Sequence, residues 1–254
     1  MRYKVMNRFV KALLIAALVY TLLIVFFGQL YFYKWTGKLW HEIAGTIVFV
    51  LVVIHLLMMK SIFSYITKQR SAFFIYRDII LLLMAVDFIA VTIFGMAMSK
   101  NLYPGWIPIE KAIARQSHTS LAIYLYILIG LHLGCYLSKL LSMLNDACAI
   151  RVQEQAAACS IKESKCPFKG SKAPGNWVLL SLHIVALNGF LEICKPYYWD
   201  VILWQYRKLA IDHDRSYILN TIDQVSITVF FMLVSYYVTR YLLLKDSRED
   251  RIRA

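Results

Sequence analysis

The chain carries six histidines, at His41, His55, His118, His132, His183 and His213. Imidazole is the commonest metal ligand among side chains and the one that changes charge near neutral pH. Four of the six fall into two pairs with one spacing, since His55 follows His41 by 14 residues and His132 follows His118 by 14. At about 100° per residue, fourteen helical steps end about 40° short of four full turns, so both members of a pair share one helix face, about 21 Å apart along the axis. A single histidine in an apolar helix is as readily a hydrogen-bonded interior residue as a ligand. The same interval on two apolar runs asks for a common cause.

The elements that must position these rings are legible from composition. Of 254 residues, 60% are apolar and only 17% charged, against about 25% charged in soluble domains. A membrane span needs about 20 predominantly apolar residues, and runs of that kind occur at 11–28, 39–59, 75–98, 118–141, 177–193 and 218–244. The expectation is an all-α membrane protein of about six transmembrane helices. The fifth run is short, and the sixth contains Asp223 and Arg240. The basic start leads straight into an apolar run with no small-x-small pattern after Phe27 and Gly28, which reads as a retained first helix and not a cleaved signal.

The formal charge of +13 is organised by position. Counting Lys11, Arg77, Lys139 and Arg240 at the span ends with the segments they adjoin, lysine and arginine number four at the start of the first span, four around the second connection, six around the fourth and five at the C-terminal end, against nine in the remaining connections. By the positive-inside rule both termini face the cytoplasm, in a cytoplasmic (inner) membrane, and a nucleic-acid partner has little charge left to explain it. Spans two and four then run parallel from outside to inside. His41 lies level with His118 towards the outer face, and His55 level with His132 towards the inner face. Two imidazoles at each of two depths are the donor set for two bis-histidine b-type haems, the outer iron between His41 and His118 and the inner between His55 and His132.

Lesser signals surround the four rings. Gly45 and Ala122 stand one turn inward from the outer histidines, where a small side chain admits a flat macrocycle, although helix packing uses small residues too. Arg115 and Lys38 are candidate partners for outer propionates, with Lys60 and Lys139 placed for the inner ones or as snorkelling helix ends. Gly130 and Gly134 sit on the face away from His132 and read as a helix-packing pair. His183 has no partner at the 14-residue interval; a hydrogen-bonded interior role is weighed against contact with the inner haem or a quinone headgroup. His213 lies in a hydrophilic connection, and Asp87 is the deepest acid, a proton carrier or the partner of an interior polar group. The five cysteines, Cys135, Cys148, Cys159, Cys166 and Cys194, contain no C-x-x-C pair and read as free thiols. The stretch 197–211 mixes Trp199, Ile202, Leu203 and Trp204 with Arg207 and Lys208, as a surface-lying amphipathic element does.

The stretch Thr36-Gly-Lys-Leu-Trp-His41-Glu-Ile-Ala-Gly45, continuing to Val53-Ile-His55, resembles the helix-two signature of a family of bacterial diheme membrane cytochromes associated with flavinylated electron-transfer proteins. Ala114-Arg-Gln-Ser-His118 with Gly130-Leu-His132-Leu-Gly134 resembles its helix-four signature. The family, long known as a domain of unknown function, is similar in plan to ferric-reductase and respiratory cytochrome b subunits. The resemblance covers 31–142. It implies electron exchange between the membrane interior and an extracytoplasmic partner, flavinylated proteins included.

The expected organisation is a four-helix haem-binding bundle at 1–142 (helices 1–4), a cytoplasmic connection at 143–176 that begins helical, and two further spans with an interfacial segment at 177–254. The expected function is transmembrane electron transfer through two haem b groups to or from a redox partner protein or quinone. No Gly-rich strand–turn–helix motif is present for a flavin or nicotinamide, so that chemistry would belong to another subunit. The alternatives are a quinol-oxidising or ferric-reducing oxidoreductase subunit using the same haems, a transition-metal transporter, whose ligands would cluster within a few Å, and a membrane anchor without cofactor.

Overall fold

A bilayer offers no water to backbone N–H and C=O groups, so an apolar run that crosses it closes its hydrogen bonds within itself. The computed structural model, which describes residues 2–31, 33–58, 71–159, 174–205 and 216–253, is helical in every regular element. Its helices are α1 (Arg2–Tyr31), α2 (Tyr33–Met58), α3 (Ala72–Met98), α4 (Lys111–Cys159), α5 (Pro174–Ile193), α6 (Pro196–Ile202) and α7 (Tyr217–Arg253). Five stretches are long and apolar enough to span a membrane: Trp35–Met58, Ala72–Met98, Lys111–Asp146, Gly175–Ile193 and Ile218–Ser247. On α1 the apolar part among the described residues is the shorter Ala17–Leu30. The chain is a multi-pass helical membrane protein. The short fifth run and the charged sixth both meet the requirement. His213, Lys60, Cys166 and the end of the 197–211 stretch lie outside the described residues.

The chain divides into two compact units, one of 1–70, 85–122 and 200–222, the other of 71–84, 123–199 and 223–254. In the first, α1 packs along α2, the Trp40 indole N–H donates to Gln29 Oε1 at 3.4 Å, and Phe49 of α2 stacks on Phe88 of α3 at 6.1 Å. Gly37 interrupts α2 with φ 83° and ψ 173°, a conformation nearly confined to glycine. The uninterrupted helix therefore starts at Lys38, one residue before the start that the apolar run predicts.

In the second unit, Leu137 and Leu141 of α4, Ala186 of α5, and Leu233 and Tyr236 of α7 form the core. Glycines set the helix separation there. A Cβ on Gly130 would strike the Thr228 carbonyl, one on Gly134 the Met232 carbonyl and Ser235, and one on Gly189 the Ser226 carbonyl. Close backbone approach replaces the hydrophobic drive that lipid cannot supply. The glycine pair on α4 thus seats that helix on α7. Ser235 Oγ then donates to the Leu131 carbonyl at 2.6 Å.

Two helix starts in this unit are capped from other helices. Asp246 of α7 accepts from the Ala72 and Phe73 amides of α3 at 3.3 and 3.4 Å. Asn145 of α4 accepts from the Gly175 amide of α5 at 2.8 Å, next to Pro174, whose missing N–H suits the first helical position. Each carboxylate or amide oxygen satisfies donors that a helix leaves orphaned. The connection expected to begin helical does so, since α4 continues to Cys159; residues 160–173 lie outside the described set.

Candidate functional site

The first unit brings His41 of α2 and His118 of α4 together. Their ring centroids are 6.2 Å apart and their planes cross at 87°. His118 Nδ1 lies 2.9 Å from the Val91 carbonyl of α3. A carbonyl can only accept, so Nδ1 carries the proton and Nε2 keeps its lone pair. A backbone carbonyl that fixes the tautomer is the usual outer support of a metal-binding imidazole. Gly95, one turn further along α3, makes room for the ring: a Cβ there would come within 3.1 Å of His118 Cε1 and 3.2 Å of Nδ1.

The separation can be tested against a metal. Imidazole nitrogen binds a first-row metal ion at about 2.0–2.1 Å, and adding roughly 1.1 Å from nitrogen to ring centre on each side puts two opposed rings roughly 6.2–6.4 Å apart. The observed 6.2 Å matches that separation, and it is also the separation of an ordinary edge-to-face ring pair, about 4.5–7 Å. Among the described residues no three His, Cys, Asp or Glu side chains converge, so a closed four-ligand site of the zinc type has no donor set there. A pair of imidazoles suits a metal that brings its other ligands with it, as haem iron does. Gly45, one turn inward from His41, has no heavy atom within 4 Å of where a Cβ would stand, and this leaves clearance beside the ring.

The other two histidines belong to different units, and each is described by itself. His55 lies edge-on to Tyr20 of α1 at 5.4 Å, and its Nδ1 is buried without a hydrogen-bond partner among the described residues. His132 lies edge-on to Tyr136 at 5.3 Å, with Nδ1 also buried. Ala122 is partly buried on α4. Lys38 and Arg115 are exposed and form no ion pair among the described residues, which leaves both cations available near the His41–His118 level.

The residue that the sequence left without a role is Glu42. Its carboxylate gathers the loop after α3: Ser99 Oγ donates at 2.8 Å, the Lys100, Asn101 and Leu102 amides at 3.2, 3.2 and 3.0 Å, and Asn101 Nδ2 at 3.0 Å. Thr46, one turn on, shares a hydrogen bond of 2.9 Å with the Tyr103 hydroxyl. The loop that leads from α3 to α4 is thereby tied to the helix of His41, beside the ring itself. Glu42→Ala leaves five donors to water or to nothing, and is expected to lower stability by about 1–3 kcal/mol; thermal unfolding of the purified protein in detergent measures it, with Glu42→Gln losing less. An acid directly after a histidine near the start of a span was the available signal. For Gly95 the signal was its being the one glycine within α3.

His183 has both nitrogens in use. Nδ1–H donates to the Leu179 carbonyl at 2.7 Å, so Nε2 accepts from the Tyr237 hydroxyl, also at 2.7 Å. That is the hydrogen-bonded interior role. Asp87 is buried on α3, with Oδ2 unpartnered among the described residues, on the same stripe as Val91 and Gly95. Near the end of α5, Glu192 is buried, bound by Lys195 Nζ at 2.5 Å and by the Tyr197 hydroxyl at 3.4 Å. Burial pushes the Tyr197 hydroxyl up to about 12 and raises Tyr198 as well, so both stay protonated donors. Residues 196–204, α6 and the turn after it, bury Tyr198 and Val201 while exposing Trp199, Leu203 and Trp204, and Ser120 Oγ of α4 donates to the Val201 carbonyl at 2.8 Å.

The fold and the site define a class: a multi-pass α-helical membrane protein with two facing imidazoles in its first unit. Comparison with protein-family models, with curated proteins and with solved structures finds no match.

Proposed function

We propose that this protein is a diheme membrane cytochrome that transfers electrons across the bilayer, to or from a redox partner protein such as a flavinylated one, in the manner of the family its helix-two and helix-four motifs resemble. The observation that carries the reading is the His41–His118 pair, two imidazoles from α2 and α4 that would together hold one haem iron. Support for the second centre comes from the sequence: the equal intervals of 14 residues give His55 and His132 the same standing at the other depth. Haem, when bound, supplies a one-electron iron couple.

The protein's part is to hold and insulate. Val91 fixes the His118 tautomer, Gly95 admits its ring, and Glu42 ties the loop to the helix of His41. With two histidines holding it, such an iron would have no open position for a substrate, which favours relay over oxygen chemistry. The charge bias orients the chain with both termini cytoplasmic, which puts the His41–His118 level at the outer face, where an extracytoplasmic partner can reach it. Arg115 and Lys38 are the cations available to propionates there. The membrane concerned is the inner, cytoplasmic one.

Pyridine haemochrome analysis with a reduced-minus-oxidised spectrum is expected to give two b-type haems per chain. A colourless preparation from haem-sufficient cells would falsify the reading.

A further inference from the structure

An open cleft of about 450 Å³ lies in the second unit where α4 ends its span, α5 begins and α7 nears its own end. Its walls are polar for a site at the end of membrane spans: Ser138, Ser142 and Asn145 of α4, Asn176 of α5, and Arg240 of α7. Arg240 stands seven residues before the end of the Ile218–Ser247 span, roughly 10 Å along the helix. Arg240 is exposed, so its guanidinium is open to the cleft it lines. Arg240 has neither an ion pair nor a hydrogen bond among the described residues.

We propose that this cleft binds a phosphate-bearing anion, with the Arg240 guanidinium as its principal donor and the Ser138 and Ser142 hydroxyls as neutral ones. The volume falls within the range of about 300–1,000 Å³ typical of ligand sites. Guanidinium offers paired N–H donors that match two phosphate oxygens, and the strongest hydrogen bonds in proteins are of this charge-assisted kind. Ser138 and Ser142 are one turn apart, so both hydroxyls address the same volume. Asn145 spends its carbonyl oxygen on the Gly175 amide, which holds the start of α5 at the cleft wall. Asp146 also lines the cleft and makes no ion pair with Arg240; its carboxylate lowers the affinity for any anion without consuming the guanidinium. The cleft is independent of the haem reading. Its ligand is either a phospholipid headgroup entering from the bilayer or a free phosphate compound from water.

The test uses the full chain, purified and delipidated in detergent. Native mass spectrometry measures binding of phosphatidylglycerol, with an uncharged diacyl glucolipid as control, and thermal unfolding measures stabilisation by inorganic phosphate. Phosphatidylglycerol bound at least tenfold more weakly by Arg240→Gln than by the native chain, with Arg240→Lys between them, supports the site and identifies a headgroup. Stabilisation by inorganic phosphate that Arg240→Gln abolishes supports it and identifies a free anion. The proposal is overturned if neither probe binds, if Arg240→Gln binds both like the native chain, or if the glucolipid binds as well as phosphatidylglycerol. Should Arg240→Gln fail to fold, the Ser138→Ala/Ser142→Ala double variant is expected to weaken binding of the same probe several-fold, and unchanged binding overturns the proposal.

Discussion

A His118→Ala variant is expected to be purified with one haem b per chain in place of two, its remaining spectrum that of the centre assigned to His55 and His132. The methyl group cannot reach a metal, and the Val91 carbonyl loses the Nδ1–H that it accepts at 2.9 Å. Bis-histidine ligation needs both rings, so His41→Ala should remove the same centre. Gly95→Val separates ligand loss from ring displacement. Its Cβ alone comes within 3.1 Å of the His118 ring, and the two further methyl groups push that ring away while all four histidines remain in the sequence. The expected result is a haem retained in part with a broadened, shifted spectrum. Haemochrome quantification and low-temperature difference spectra read both outcomes. Haem content unchanged in His118→Ala would remove this histidine from the ligand set.

Gly134→Leu is expected to give a large loss of stability, by overpacking the α4–α7 contact. A Cβ at Gly134 overlaps the Met232 carbonyl and approaches the Tyr236 amide at 2.9 Å. Those are backbone atoms of α7, which move only if the helix moves. Overpacking a well-filled core costs about 1–3 kcal/mol when side chains can shift, and more when they cannot. Here α4 would have to leave α7, breaking the Ser235–Leu131 hydrogen bond of 2.6 Å and opening the core around Leu137 and Leu233. The measurement is the yield of monodisperse protein in detergent and its unfolding temperature. Gly45→Ala serves as the control, since its added Cβ meets nothing within 4 Å. Equal yields for the two variants would contradict the packing account.

The spans were legible because the requirement on them is compositional. Any run of about 20 apolar residues closes its own backbone bonds in lipid, so α3 could be read to its last residue, Met98. Ends were read less well where polar residues continue a helix. The fourth apolar run stops near Leu141, whereas α4 extends to Cys159, because nothing in its polar continuation breaks a helix once it has left the bilayer. At the other end α4 begins at Lys111, seven residues before His118. His118 therefore stands two turns inside a helix, on a rigid stretch.

By itself the sequence determined an all-helical membrane protein with four histidines at two equal intervals, since hydropathy and helical periodicity are local properties. It also determined that Gly130 and Gly134 would seat α4 on some neighbour. Which neighbour, α7, was decided by tertiary structure, as were the Val91 carbonyl behind His118, the clearance at Gly95 and the five donors gathered by Glu42. Each of these depends on which backbone lies opposite a given side chain. A carbonyl or an amide carries no residue-specific signature, so a partner made of backbone becomes visible only when the helices are packed.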